Sequence, residues 1–410
     1  MYEAVVIGGG AAGMLCAAVA ASNGRRVLLL EKNERLGVKL SITGKGRCNL
    51  TNNCTIRDVL DNIPTGGRFL QSALNAFSPQ DAMALFEKLG VPLKTERGNR
   101  VFPVSDRASD IVSALRRFTE QSGVLIRRAA ATAIMTDNGF VTGVVTPRET
   151  ILCTAAVLCT GGLSYPRTGA TGDGYALAES LGHTIIPPKP SLVPLEASPD
   201  ICARMQGLTL KNVRLTVRDG GRKPVFEDFG ELLFTHFGVS GPLVLSASAH
   251  MCDFPGKTYT LALDLKPALD EQKLDARIRR DFEKYKNRDF ANALGDLLHR
   301  TMIPVVIERS GVPADTKVHS VTRAQRAALL SVLKAFMLDV TGPRPIDEAI
   351  ITSGGVDTRE INPTTMASKR VDGLYFAGEI IDADAYTGGF NLQIAWSTAY
   401  AAGSHIQPFR

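Results

Sequence analysis

The sequence predicts an α/β fold whose parallel sheet is interrupted by an inserted antiparallel β body and a helical piece. Three observations carry this. Residues 2–31 read as strand, glycine turn, helix and strand. Alternating strands between Ser191 and Leu265, then helical spacing from Leu269 to Lys334, break that pattern. Strands ending in glycines return near the C-terminus, at Gly354-Gly355 and at Gly378-Glu379.

Ala4-Val5-Val6-Ile7 is a short apolar run of the kind that forms a fully buried parallel strand. Gly8, Gly10 and Gly13 follow in G-x-G-x-x-G spacing. The first glycine allows a tight turn, the second lets a pyrophosphate approach the backbone, and the third lets helix and strand pack closely. Ala11 to Ser22 is alanine-rich and helix-compatible, so its first turn, Ala11 and Ala12, would aim N–H groups at phosphates. Val27 to Leu30 then ends in Glu31, followed by Lys32; a carboxylate there can hold both ribose hydroxyls of an adenosine, and Glu31 and Lys32 are both expected at the cofactor. Together these features predict a Rossmann-type dinucleotide site, and the acid favours FAD or NAD over NADP.

The 410 residues exceed what one core usually spans, so more than one domain is expected. Hydrophobic residues at 44% and charged ones at 21% are ordinary for a globular protein. The first strand leaves no room for a signal peptide, and no apolar run is long enough to cross a bilayer. The seven cysteines are odd in number and form no C-x-x-C pair. A reduced, cytoplasmic protein without a membrane partner is expected. A net charge of +6 is too mild to imply nucleic acid alone.

Lys32 to Asn53 is glycine-rich and basic with little periodicity, and long loops inside compact domains are usually functional. It lacks phosphate-loop spacing because position 39 is lysine. Helices are expected at Gly67–Ala76, Pro79–Leu89 and Ala108–Ser122, with a strand-and-turn excursion over Lys94–Asp106. Short strands follow over 124–136, 139–146 and 150–152, and Ala156–Cys159 is a buried one ending in Thr160-Gly161-Gly162. The proline cluster at 187–190 suits a domain boundary. Beyond it, Leu210–Arg218, Glu231–Thr235 and Tyr259–Leu265 predict a small antiparallel sheet or barrel. Leu274, Ile278 and Phe282 share one helical face, as do Leu329, Leu333 and Phe336. Residues 269–334 hold 13 Lys+Arg against 9 Asp+Glu, densest at Arg277, Arg279, Arg280, Lys284, Lys286 and Arg288. Ala349–Thr352 and Leu374–Ala377 are strands, and a last helix runs from about Asn391 to Ala402. The expected division is 1–188, the first part of the dinucleotide domain; 189–268, the barrel; 269–335, the helical piece; and 336–410, the end of the insert and the completion of the first domain.

The late Gly378-Glu379 places an acid for a ribityl or ribose hydroxyl. The helix opening at Gly389 would point N–H groups at the flavin edge that carries negative charge on reduction. FAD therefore fits better than NAD. The segments GVKLSITGKGRCNLTN, TGGLSYPRTGATGDGYALAESLGH, LLFTHFGVSGPLVLSAS, ITSGGVDTREINPTTMASK and LYFAGEIIDADAYTGGFNLQIAWSTAYAAG resemble the BaiN-type family of bacterial FAD flavoproteins, also called the aminoacetone-oxidase family. The resemblance runs nearly end to end. It implies a glutathione-reductase-like FAD domain with an inserted β-barrel and a helical subdomain. It leaves three substrates open: aminoacetone, an unsaturated bile-acid intermediate, or a uridine of large-subunit (23S) ribosomal RNA reduced to dihydrouridine. Carried over by motif, Gly8, Gly10, Gly13 and Glu31 hold the ADP half, and Lys39, Gly44, Arg47, Cys48 and Asn49 border the flavin. Thr160, Gly161 and Gly162 back the cofactor, while Gly378, Glu379, Gly389, Phe390 and Asn391 hold its isoalloxazine and ribityl end.

An FAD-dependent reductase fed by NADH or NADPH is the leading expectation. With no second G-x-G-x-x-G, the nicotinamide would dock transiently. Addition of hydride to C=C also needs an acid. Cys48 is the candidate because its loop is glycine- and Arg/Lys-rich, where a thiol pKa can shift; Tyr165, Tyr386 and His236 are rivals. A flavin amine oxidase is the enzymatic alternative, and an RNA-binding flavoprotein docking through the basic helices is another. Gly238-Val239-Ser240-Gly241 misses the G-x-S-x-G elbow, and the six histidines lack metal-ligand spacing. No metal is expected, and no oligomeric state is implied.

Overall fold

The computed structural model describes residues 1–251 and 254–408. It divides into two compact units, Met1–Ser191 with Ile346–Arg410, and Leu192–Pro345.

In the first unit, β1 (Tyr2–Ile7) lies inside a sheet, paired in parallel with β2 (Val27–Glu31) and with a long strand, Thr150–Leu158. The order is Leu125–Arg128, β2, β1, Thr150–Leu158, Phe140–Val145, Ala133–Asp137. Leu374–Phe376 adds in parallel beside Ala156–Leu158. The run Thr150–Leu158 is one strand where two had been expected. Its start alternates exposed and buried residues against an antiparallel neighbour, and its end is continuously buried between parallel ones. That change of pattern mimics a break.

Helix α1 (Ala11–Ser22) forms as predicted. The C-terminal helix Phe390–His405 is apolar nearly all round and buried through most of its length. It meets α1 so closely that a Cβ on Gly403 would lie 2.6 Å from the Cys16 carbonyl oxygen. Trp396 Nε1 donates to the Leu50 carbonyl at 2.9 Å, and Gln393 Nε2 to that of Phe77 at 3.0 Å. This helix thus anchors the end of the predicted cofactor loop and the end of the helix Gly67–Ala76.

Three local expectations change. The aperiodic stretch after Glu31 contains α2 (Val38–Gly46), whose backbone leaves helical geometry at Thr43, Gly44 and Lys45, and then β3 (Thr51–Asn52). The proline cluster, expected at a domain boundary, lies just before the division at Ser191 and is itself part of a strand, Ile185–Ser191, paired antiparallel with Ile351–Val356. Its register breaks between Ile186 and Lys189, where Pro187 and Pro188 can donate no ladder hydrogen bond. Gly354 and Gly355 lie within the partner strand rather than ending it.

The second unit is a closed six-stranded barrel with helices on it. The barrel order is Leu195–Ala197, Gly238–Ser240, Phe226–Phe234, Thr209–Arg218, Tyr259–Asp264, Phe336–Pro343, the last pairing with the first. Leu274 and Ile278 of helix Glu271–Lys284, and Leu329 and Leu333 of Arg323–Lys334, share one core with Leu261, Leu263 and Phe336. Phe336, expected on a helical face, opens the closing strand. Residues 336–343 therefore belong to the barrel, and barrel and helices are one body. Cys252 lies outside the described residues.

Candidate functional site

The glycine turn joins β1 to α1 at the C-terminal edge of the parallel strands, where open α/β sheets bind ligands. Each glycine answers a separate demand. A Cβ on Gly8 would lie 2.5 Å from the Cys159 carbonyl oxygen, and one on Gly13 only 1.7 Å from that of Gly8. A Cβ on Gly10 would meet nothing within 4 Å. So Gly8 and Gly13 are required by packing, whereas Gly10 faces open space. No side chain caps the first turn of α1, which leaves the N–H groups around Ala11 and Ala12 for an anion. Gly378 closes the other side, its would-be Cβ 2.9 Å from that of Ala12.

Glu31 is buried at the end of β2. Its two oxygens accept the Gly9 and Asn33 N–H groups, each at 2.7 Å. The carboxylate thereby fixes the glycine turn and keeps acceptor capacity for hydroxyls. Lys32 instead bonds Thr171 Oγ1 at 2.6 Å and Asp173 at 2.7 Å.

A second cluster joins four distant segments. Lys39 Nζ donates to Glu379 Oε2 at 2.6 Å and Ser164 Oγ at 2.7 Å. Glu379 Oε1 accepts from Ser164 Oγ and the Thr352 N–H, both at 2.9 Å. Thr352 Oγ1 in turn accepts the Leu163 and Ser164 N–H groups. Gly162 lies against this knot: its Cβ would come 2.4 Å from Thr352 Oγ1 and 3.2 Å from Glu379 Oε1. Ser164 and Thr352 escaped the sequence reading, although both lie in family-like segments (TGGLSYP and ITSGG). Glu379, expected to face a sugar hydroxyl, is held by Lys39, Ser164 and Thr352.

The remaining predicted residues separate into two groups. Asn49 Oδ1 and Thr160 Oγ1 are buried with no hydrogen-bond partner among the described residues. A buried polar atom without a partner is costly, so both point to a polar group that completes them. Gly44 abuts Asn49, its would-be Cβ 2.9 Å from the Asn49 nitrogen, and Gly161 turns in the left-handed region at φ 75°. Others are engaged in the protein itself. Arg47 bonds Glu96 and Asp106 and stacks on Phe102. Asn391 clips the preceding loop through both backbone groups of Ala385. Phe390 is buried beside Gly388, and Gly389 starts the helix at φ 101°, with a would-be Cβ 2.3 Å from the Thr51 carbonyl oxygen. No side chain caps that helix either.

Cys48 differs most from its expected role. It has 0% exposure, and burial pushes its thiol up to about 12. The loop's basic residues exert no opposing pull, Arg47 being paired with acids. The structure does not bring this thiol to a surface where a substrate carbon could meet it. Tyr386 is tied down by its backbone to Asn62, and His236 lies in the second unit against Phe237.

The basic helix is largely self-neutralised. Arg277 pairs with Asp281, Arg279 with Asp275, Lys284 with Asp296 and Lys286 with Glu283. Arg288 stacks on Tyr285, and Arg280 is exposed. Among the described residues there is no cluster of three metal-ligating side chains, and no helix is long and apolar enough to cross a membrane.

The space before Gly10, the bare start of α1 and the unpartnered Asn49 and Thr160 fit a bound dinucleotide. With the inserted barrel, they define a Rossmann-type flavoprotein oxidoreductase. The chain belongs to the HI0933-like protein Rossmann domain family, whose model matches residues 2–405. It is 32% identical over 414 residues to a ribosomal RNA dihydrouridine synthase of Escherichia coli K12, covering 99% of this chain and 98% of that one. It is 31% identical over 386 residues to a 3-dehydro-bile acid delta(4,6)-reductase of Clostridium scindens, covering 92% of each. Among solved structures, the 3-ketosteroid delta1-dehydrogenase of Sterolibacterium denitrificans shares the fold, with a TM-score of 0.53 at 15% identity and 99% coverage of both chains.

Proposed function

We propose that this protein is an FAD-dependent reductase that draws on NADH or NADPH and saturates an activated C=C bond, with a uridine of ribosomal RNA as the leading acceptor and an unsaturated small molecule as the second. The observation that carries the cofactor is the open space at Gly10, between an uncapped helix and a buried acid. Gly8 to Gly13 and the first turn of α1 would hold the diphosphate, and Glu31 the ribose. Thr160 and Asn49 offer the buried polar atoms that want partners. Lys39, Ser164 and Glu379 keep a charged group fixed beside that crevice, with the ammonium balanced by a carboxylate so that it survives partial burial. Bound FAD supplies a two-electron carrier between nicotinamide and carbon. The choice of C=C reduction is supported by the names of the two full-length relatives, each of which describes saturation of such a bond.

Purified protein should be yellow and release FAD on heat denaturation. Anaerobic stopped-flow should show bleaching by NADH or NADPH, followed by reoxidation with a large-subunit ribosomal RNA transcript and a gain of two mass units at one uridine. FMN, or no flavin, would end the reading. Bleaching by aminoacetone alone would move it to the amine oxidases. Turnover of an unsaturated steroid but not of RNA would select the small-molecule branch.

A further inference from the structure

With Cys48 buried, the reduction lacks a visible acid, and the turn after Thr160-Gly161-Gly162 supplies one. Tyr165 follows Ser164 with φ 55° and ψ 57°. A bulky side chain holds that left-handed backbone only when its surroundings over-determine it, and such residues gather at functional sites. The Thr168 N–H donates to the Tyr165 carbonyl at 2.8 Å, locking the turn. The ring is half-buried, with Lys39 Nζ 5.9 Å from its centroid. That ammonium is pinned by Ser164 and Glu379 and cannot swing away. Among the described residues, nothing hydrogen-bonds the Tyr165 hydroxyl.

We propose that Tyr165 is the proton donor of the reduction, its hydroxyl protonating the carbon that does not receive hydride. This rests on the reductase reading above. Hydride addition brings one proton and two electrons, originally from the nicotinamide, to one carbon of the activated bond, and leaves an enolate. The Tyr165 O–H bond breaks, a C–H bond forms at the second carbon, and a phenolate remains until water reprotonates it. Burial raises the phenol above its ordinary value, which keeps it protonated and ready at neutral pH.

Tyr165→Phe is the test, since it keeps the ring and the backbone. FAD content and the rate of bleaching by NADH or NADPH should stay within twofold of wild type. Dihydrouridine formation in the RNA transcript should slow roughly 10²–10⁴-fold, the usual range for a lost general acid. Its solvent deuterium isotope effect should change as water takes over the protonation. A readout without turnover is ultraviolet difference titration of the flavin-free protein. Wild type minus Tyr165→Phe should show one reachable phenol ionising above the ordinary tyrosine value of about 10. A wild type with no flavin or no nicotinamide-dependent reduction overturns the functional reading. A competent wild type matched within twofold by Tyr165→Phe overturns the proton-donor assignment alone, as does a difference titration that shows no such phenol.

Discussion

Gly10 and Gly13 stand three residues apart, and alanine at each should give opposite results. At Gly13 the added carbon lands 1.7 Å from a backbone oxygen, so Gly13→Ala must push α1 off β1. It should cost about 1–3 kcal/mol or more, the range for overpacking, read as a lower urea midpoint. At Gly10 the backbone is extended with φ −79° and the added carbon touches nothing. Gly10→Ala should melt within about 1 kcal/mol of wild type, yet lose FAD on dialysis, because the methyl occupies the space a diphosphate would take. Retention of FAD by Gly10→Ala would remove the diphosphate from this turn. Glu31→Ala leaves the buried Gly9 N–H without its charged acceptor. Hydrogen bonds to charged groups are worth about 1.5–3 kcal/mol, so both flavin retention and melting temperature should fall. Cys48→Ala, by contrast, should slow flavin reduction and substrate reduction by the same small factor, and native Cys48 should resist alkylation until the protein unfolds.

At the scale of elements, a paired carboxylate and histidine outside the glycine turn contribute to the response to acid. Glu360 accepts from Arg370, from the Thr184 N–H and from the Thr184 hydroxyl, and the Arg370 guanidinium first among them holds its carboxyl down to about 2. His183, buried with Glu360 Oε2 3.1 Å from Nδ1, is held below its ordinary value of 6.5 by burial, against the pull of Glu360. Both shifts make the unfolded chain the better proton binder as pH falls. Stability should therefore be full above about pH 6.5, decline as unfolded histidine charges, and decline again from the unfolded carboxylate value of 4.5 toward 2. Urea midpoints between pH 7 and 3 would show this, and Glu360→Gln should make the lower limb shallower and, by removing the pull on His183, the upper limb steeper. What was legible in the sequence follows the same local logic. β1, α1 and β2 were readable because a continuous apolar run, glycines at fixed offsets and a terminal acid agree. Ser164 and Thr352 were not, because their bonds join residues 188 and 189 positions apart. The strand Thr150–Leu158 was split in reading because its two halves face different surroundings. Arg47, carried over by motif as a flavin neighbour, and Lys32, expected at the cofactor beside Glu31, both pair with acids, and no sequence spacing announces such pairs.

For the molecule as a whole, the insert enters and leaves the first unit at neighbouring points. Ser191 pairs with Ile351, only five residues beyond Ile346. Replacing 192–345 by a flexible linker of about six residues should therefore leave a folded first unit that keeps FAD. It should bleach with NADH but reduce no RNA. Loss of FAD in this shortened chain would show that the second unit supports the cofactor.

The strand order has one more consequence, for how the chain is made. β1 leaves the ribosome long before Leu374–Phe376 and the helix Phe390–His405, which complete its sheet and cover α1. At roughly 5–20 residues per second, the nascent glycine turn waits on the order of tens of seconds for these elements. The second unit, continuous in sequence from Leu192 to Pro345, can close its barrel well before then. Truncation near residue 370 should thus yield a chain with a folded middle and an apolar, chaperone-dependent beginning, so a stalled or clipped polypeptide would be removed by quality control rather than linger as a colourless enzyme.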